Sequence, residues 1–168
     1  KFTLSPAIYL WTLAVYLFFV DGKEWSKRII AGGAAAMMAG EIALVILQAA
    51  RGTASHFNIK TPFDAAVFQA MGVMIVINTI LVFFLLGLYF RAKINLPRSI
   101  IWGMRFGIVL FILAGLEGFV MTSALRHSVG VADGGAGLPF VNWSTEGGDL
   151  RVAHFVGMHA LQAIPLFA

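Results

Sequence analysis

Polar breaks divide the chain into apolar runs long enough to cross a lipid bilayer, and this pattern constrains the fold more than any motif. The clearest run extends from Ala65 to Phe90 without a charged residue. A bilayer core of about 30 Å needs about 20 predominantly apolar residues at 1.5 Å of helical rise each. Composition points the same way. Hydrophobic residues make up 60% of the chain and charged residues 12%, with a mean hydropathy of +0.87. Soluble domains carry roughly 25% charged residues, so this chain cannot cover itself with a wetted surface.

The expected fold is an all-α polytopic transmembrane bundle of about five spans, forming a single domain over residues 1–168. The spans are expected at about Pro6 to Val20, Ile29 to Ala50, Phe63 to Phe90, Ser99 to Leu125, and Leu150 to Ala168. Lys1 and Ala168 read as trimmed boundaries, the last inside an apolar stretch, and no cleavable signal peptide is expected.

Several local signals position the helices. Thr61, Pro62 and Asp64 form a helix start: the Thr side chain can accept from a free amide, and Pro fits the first helical position. Asp149 can cap the last helix. Gly32, Ala36 and Gly40, at four-residue spacing, make a smooth stripe for close helix approach, and Gly103 and Gly107 make a second pair. The glycines and Pro139 between Arg126 and Gly148 mark a loop. Trp143 reads as an interfacial anchor.

The absence of cysteine excludes disulfides, Cys-based zinc or iron–sulfur sites and a thiol nucleophile. A formal charge of +4 and a pI near 9.8 do not imply nucleic acid, because the basic residues sit at the ends of apolar blocks. That placement reports membrane orientation. Lys23, Lys27, Arg28, Arg91, Lys93 and Arg98 fall in the first and third connections, against Arg51, Lys60, Arg126 and Arg151 in or beside the second and fourth. The second and fourth connections are therefore expected on the outer side, in a bacterial plasma (inner) membrane, with every histidine toward that side.

Ionisable residues within spans need a reason to be there, since each costs roughly 2.5–3.5 kcal/mol on insertion scales. Glu41, Glu117 and His159 each lie about eight or nine residues from the outer end of their spans, roughly 12–14 Å deep. Two carboxylates and an imidazole at one depth suit a buried iron, zinc or manganese site. His154 and His56 are candidate haem ligands or surface relay groups. His154 and His159, five residues apart, point about 140° away from each other on an ideal helix, so they do not ligate one metal together. Gln48, on the face of Glu41, and Gln162, three residues after His159, are polar neighbours of these groups. Asp64, His127, Asp149 and Arg151 join His56 and His154 in a shallower tier, the two tiers forming an outward-opening polar funnel. The seven methionines read as packing, and Asp133 and Glu146 as solvated charges.

Ala153, His154, Gly157 and Ala160 lie in a stretch that partly resembles the Ala-His-x-x-Gly-x-x-x-Gly segment of rhomboid intramembrane proteases. The final glycine is missing, as is the Gly-x-Ser-Gly nucleophile segment, and Ser123 has no flanking glycines, so that activity is not assigned. No motif is diagnostic of a reaction. The functional expectation is a membrane protein with a buried Glu/His site holding a metal ion or haem, and redox-active. The alternatives are a proton- or cation-coupled transporter or channel, and a non-catalytic subunit recruited by other membrane subunits.

Overall fold

A computed structural model describes residues 4–168, and its architecture is the all-helical bundle expected from the sequence. Five helices follow in order: α1 Leu4–Phe19, α2 Glu24–Ala50, α3 Pro62–Arg91, α4 Arg98–Ala124 and α5 Leu150–Leu166. Three of them, α2, α3 and α4, are long and apolar enough to cross a membrane. Helices α1 and α5 are shorter, at 16 and 17 residues.

Several helix ends have identifiable local causes. Thr61 Oγ1 accepts from the Asp64 amide at 3.1 Å with Pro62 at the first position, as the sequence predicts. Helix α2 starts at Glu24 instead of Ile29, because Glu24 pairs with Lys27 at 2.7 Å and extends the helix into the polar turn. Helix α4 stops at Leu125, which adopts a left-handed conformation with φ of 51°. Asp149 caps α5 by accepting from the Arg151 amide at 3.0 Å.

The connections gather at two ends. At one, which we call the basic end, strand β1 (Val20–Asp21) pairs antiparallel with β2 (Lys93–Ile94), tying the first connection to the third. At the other, the histidine end, β3 (Ser128–Val129) pairs with β4 (Gly148–Asp149) and closes the long fourth connection onto itself.

Packing follows two rules. Helix α1 buries Tyr9, Thr12, Leu13, Tyr16 and Leu17, the three- and four-residue spacing that puts one stripe against the bundle. Close approach elsewhere depends on missing side chains. A Cβ at Gly107 would lie 2.9 Å from the Ala160 carbonyl oxygen, and one at Gly157 would lie 2.5 Å from Ala114 Cβ, so α4 and α5 meet nearly backbone to backbone. Gly103 and Gly107 thus act as the close-packing pair the sequence indicates. The stripe on α2 does so only at Gly40. Gly32 and Ala36 are exposed, and nothing lies within 4 Å of a Cβ at Gly32. Helix α3 instead crosses α2 at Gly33 and Gly40, where a Cβ would lie 2.7 Å from Leu81 Cδ1 and 2.8 Å from Met74 Sδ. Gly33 and Gly40, seven residues apart, share a face turned away from Gly32.

Candidate functional site

Helices α2, α3, α4 and α5, with the α2–α3 connection, enclose a cavity of about 350 Å³. Its walls are mostly apolar, from Phe68, Met71, Ile75, Phe111, Phe119 and Met158. Glu41 enters from α2, His56 from the connection, Asn78 and Thr79 from α3, and His154 from α5. Gly72 and Gly115 also line it. A Cβ at Gly72 meets nothing within 4 Å and one at Gly115 meets only Thr79 Oγ1 at 3.8 Å, so side chains there would occupy the cavity itself.

The two histidines are held alike. His154 Nδ1 lies 2.8 Å from the Ala114 carbonyl, which can only accept, so Nδ1 carries the proton and Nε2 is the free nitrogen. Gly118 permits this approach: a Cβ there would lie 3.1 Å from His154 Cε1. Glu117 Oε2 stands 3.5 Å from the same Nδ1, and both its carboxylate oxygens are buried without a hydrogen-bond partner. His56 Nδ1 lies 2.9 Å from Ser55 Oγ, a hydroxyl able to donate or accept, and its Nε2 has no hydrogen-bond partner among the described residues. His56 keeps solvent exposure, yet desolvation by its surroundings lowers its imidazole pKa and favours the neutral ring.

The other candidate residues go elsewhere, and the single funnel expected from the sequence resolves into separate groups. His159, Glu41 and Glu117 do not gather: Glu41 lines the larger cavity and Glu117 stands beside His154. The His159 side chain is exposed, its Nδ1 lies 2.8 Å from the Phe155 carbonyl, and it lines a smaller cavity beside α1 together with Gln162. The cause is the five-residue spacing, which turns His159 away once His154 faces inward. Among the described residues, no three His, Asp or Glu side chains gather as metal ligands. Gln48 is not a neighbour for Glu41. It is fully buried and donates Nε2 to Asp64 Oδ1 at 3.0 Å, while Arg51 Nη1 reaches the same carboxylate oxygen at 2.6 Å and also Gln48 Oε1. Thr61 Oγ1 donates to Asp64 Oδ2 at 2.6 Å, so Asp64 and Gln48 clasp the end of α2 to the start of α3.

His127, Asp149 and Arg151 form a third group in the fourth connection. Arg151 Nη2 meets Asp149 Oδ2 at 2.6 Å, and His127 Nδ1 sits 3.4 Å from Asp133 and 3.7 Å from Asp149. Asp133 accepts the Ser128 amide at 2.8 Å, so it fastens a turn instead of standing free in solvent. The Arg151 side chain, donating to Asp149, holds that carboxyl far below the ordinary range.

Tyr9 and Tyr16, which their places near the two ends of the first apolar run suit to headgroup level, instead bury their hydroxyls inside the bundle. Tyr9 donates to Asn78 Oδ1 at 2.9 Å and stacks on Phe111 with centroids 5.2 Å apart, which fixes one end of the cavity wall. Tyr16 donates to the Leu161 carbonyl at 2.7 Å. Leu161 stands four residues before Pro165, which has no amide to offer it, and that pairing of an intrahelical proline with an orphaned carbonyl is a signal in the sequence from which a hydroxyl donor could have been sought.

Comparison with protein-family models, with curated proteins and with solved structures finds no match for this chain.

Proposed function

We propose that this integral membrane protein binds a haem in the cavity between α2 and α5, where His154 and His56 are the residues that would hold its iron. The observation that carries this reading is the pair of histidines lining one apolar cavity, each with Nδ1 engaged and Nε2 free. The glycines at 72 and 115 give a flat group room against helix backbone. When bound, haem supplies one-electron redox chemistry. The chain's own contribution is orientation and exclusion of water. The Ala114 carbonyl fixes the His154 ring, and Glu117 Oε2 stands 3.5 Å from the same nitrogen. Phe68, Met71 and Phe111 keep the site dry. The histidine end then faces the outer side of a bacterial plasma membrane, in keeping with the positive charge at the opposite end.

Protein expressed with a haem precursor and purified in detergent should show a Soret band and about one iron per chain. His154→Ala should abolish the band, whereas His159→Ala should retain it. Absence of the band in the parent, or its persistence in His154→Ala, overturns the proposal.

A second reading rests on Glu41, whose Oε1 is buried without a hydrogen-bond partner in a residue lining the same cavity. A lone carboxylate inside a bundle suits a proton- or cation-coupled transporter. Uptake into proteoliposomes should then be lost in Glu41→Gln, and uptake unchanged by that substitution excludes this reading. Recruitment by other membrane subunits would use the uncovered Gly32 and Ala36 face of α2, and a monodisperse solitary chain in native mass measurements counts against it.

A further inference from the structure

The molecule contains a second, smaller cavity of about 230 Å³ between α1 and α5, lined by Ile8, Tyr9, Phe111, Met158, His159 and Gln162 among others. Apart from the exposed Ser5, which also lines it, its polar groups are short of donors. Thr12 Oγ1 gives its hydrogen to the Ile8 carbonyl at 2.8 Å, so it must accept from Gln162 Nε2 at 3.1 Å. That contact fixes the orientation of the Gln162 carboxamide and leaves Oε1, which is buried, as an acceptor with no partner. His159 is in the same condition. Its Nδ1 donates to the Phe155 carbonyl, so the neutral ring presents Nε2 as an acceptor.

These two residues are three apart and so lie on one face of α5. At 1.5 Å per residue they stand roughly 14–18 Å along the helix from Leu150, a depth within hydrocarbon. Access is lateral, because His159 and its neighbours Phe155, Val156 and Ala163 are exposed on the flank of the bundle. A ligand that reaches this place must dissolve in lipid, must carry hydroxyl donors, and meets a wall formed by the stacked rings of Tyr9 and Phe111.

We propose that this cavity binds the ring of a membrane-dissolved hydroquinone, whose phenolic hydroxyls donate to His159 Nε2 and Gln162 Oε1. The inference is independent of haem in the larger cavity, although Phe111 and Met158 line both.

The full chain, purified in detergent without haem and kept under argon, is titrated calorimetrically with a short-tailed benzoquinol. Its dimethyl ether, which keeps ring and tail but has no donor, and decanol, which keeps an aliphatic hydroxyl, serve as comparisons. The quinol should bind at least about tenfold more tightly than either, the equivalent of about one buried hydrogen bond. His159→Leu and Gln162→Met should each remove that advantage. Should Gln162→Met fail to fold, the exposed His159→Leu decides alone. Equal binding of the ether or of decanol, no binding of the quinol, or a quinol preference that survives in His159→Leu overturns the proposal.

Discussion

Pro165 determines a hydrogen bond on another helix. By withholding an amide it frees the Leu161 carbonyl, and Tyr16 answers it from α1. The same device recurs: Tyr89 donates its hydroxyl to the Tyr16 carbonyl at 2.9 Å, and Arg105 donates to the Tyr89 carbonyl at 3.0 and 2.7 Å. Tyr16 and Tyr89 belong to the last turns of α1 and α3, where carbonyls have no intrahelical partner. Tyr16→Phe should destabilise the detergent-solubilised protein by about 1–3 kcal/mol, the cost of an unsatisfied buried carbonyl. Adding Pro165→Ala should shrink that loss, since the helix regains its own bond; a double-mutant cycle of thermal unfolding measures the coupling. At the histidine end, Asp149 makes stability depend on acid. Its folded pKa lies below the unfolded value of about 3.9, so its contribution is present above that pH and disappears as the pH falls toward the folded value. Asp149→Asn should therefore flatten the acid limb of a pH–melting curve and cost about 1 kcal/mol at pH 7 through the weakened cap.

Between helices, the decisive quantity is how near two backbones come. A Cβ at Gly157 meets Ala114 Cβ at 2.5 Å and the Leu110 carbonyl oxygen at 3.0 Å, atoms that cannot step aside singly. Gly157→Val should destabilise by about 1–3 kcal/mol or more through overpacking, whereas Gly32→Val, into open space, should leave thermal unfolding of the isolated chain almost unchanged. The contrast shows why elements were easier to read from the sequence than their faces. Long apolar runs, the Thr61–Pro62 start and the Asp149 cap each have a local cause. The choice between Gly32 and Gly33 as the packing face of α2 does not, because α2 is apolar all round and only the position of α3 decides it. The pairing of Val20–Asp21 with Lys93–Ile94 was invisible for the same reason.

At the scale of the whole molecule, height along the bundle was legible and direction around it was not. Counting residues puts Glu41, Glu117 and His159 at similar depths, but the sequence contains no statement of which helices are neighbours. Helix α5 turns His154 to the cavity shared with α2, α3 and α4, and that leaves His159 beside α1. The 140° separation of these two histidines is an azimuthal fact the sequence does contain, and the two line different cavities. A related consequence concerns assembly. The Tyr16 hydroxyl and Thr12 reach partners on α5 about 145–150 positions later in the chain. Introduced cysteines at Thr12 and Gln162, in a chain that has none of its own, should cross-link only after α5 has entered the bilayer, which pulse-labelling of nascent chains of graded length can time. Helix α1 leaves the ribosome well before α5, and until α5 arrives Tyr16 must wait in lipid for a partner not yet synthesised.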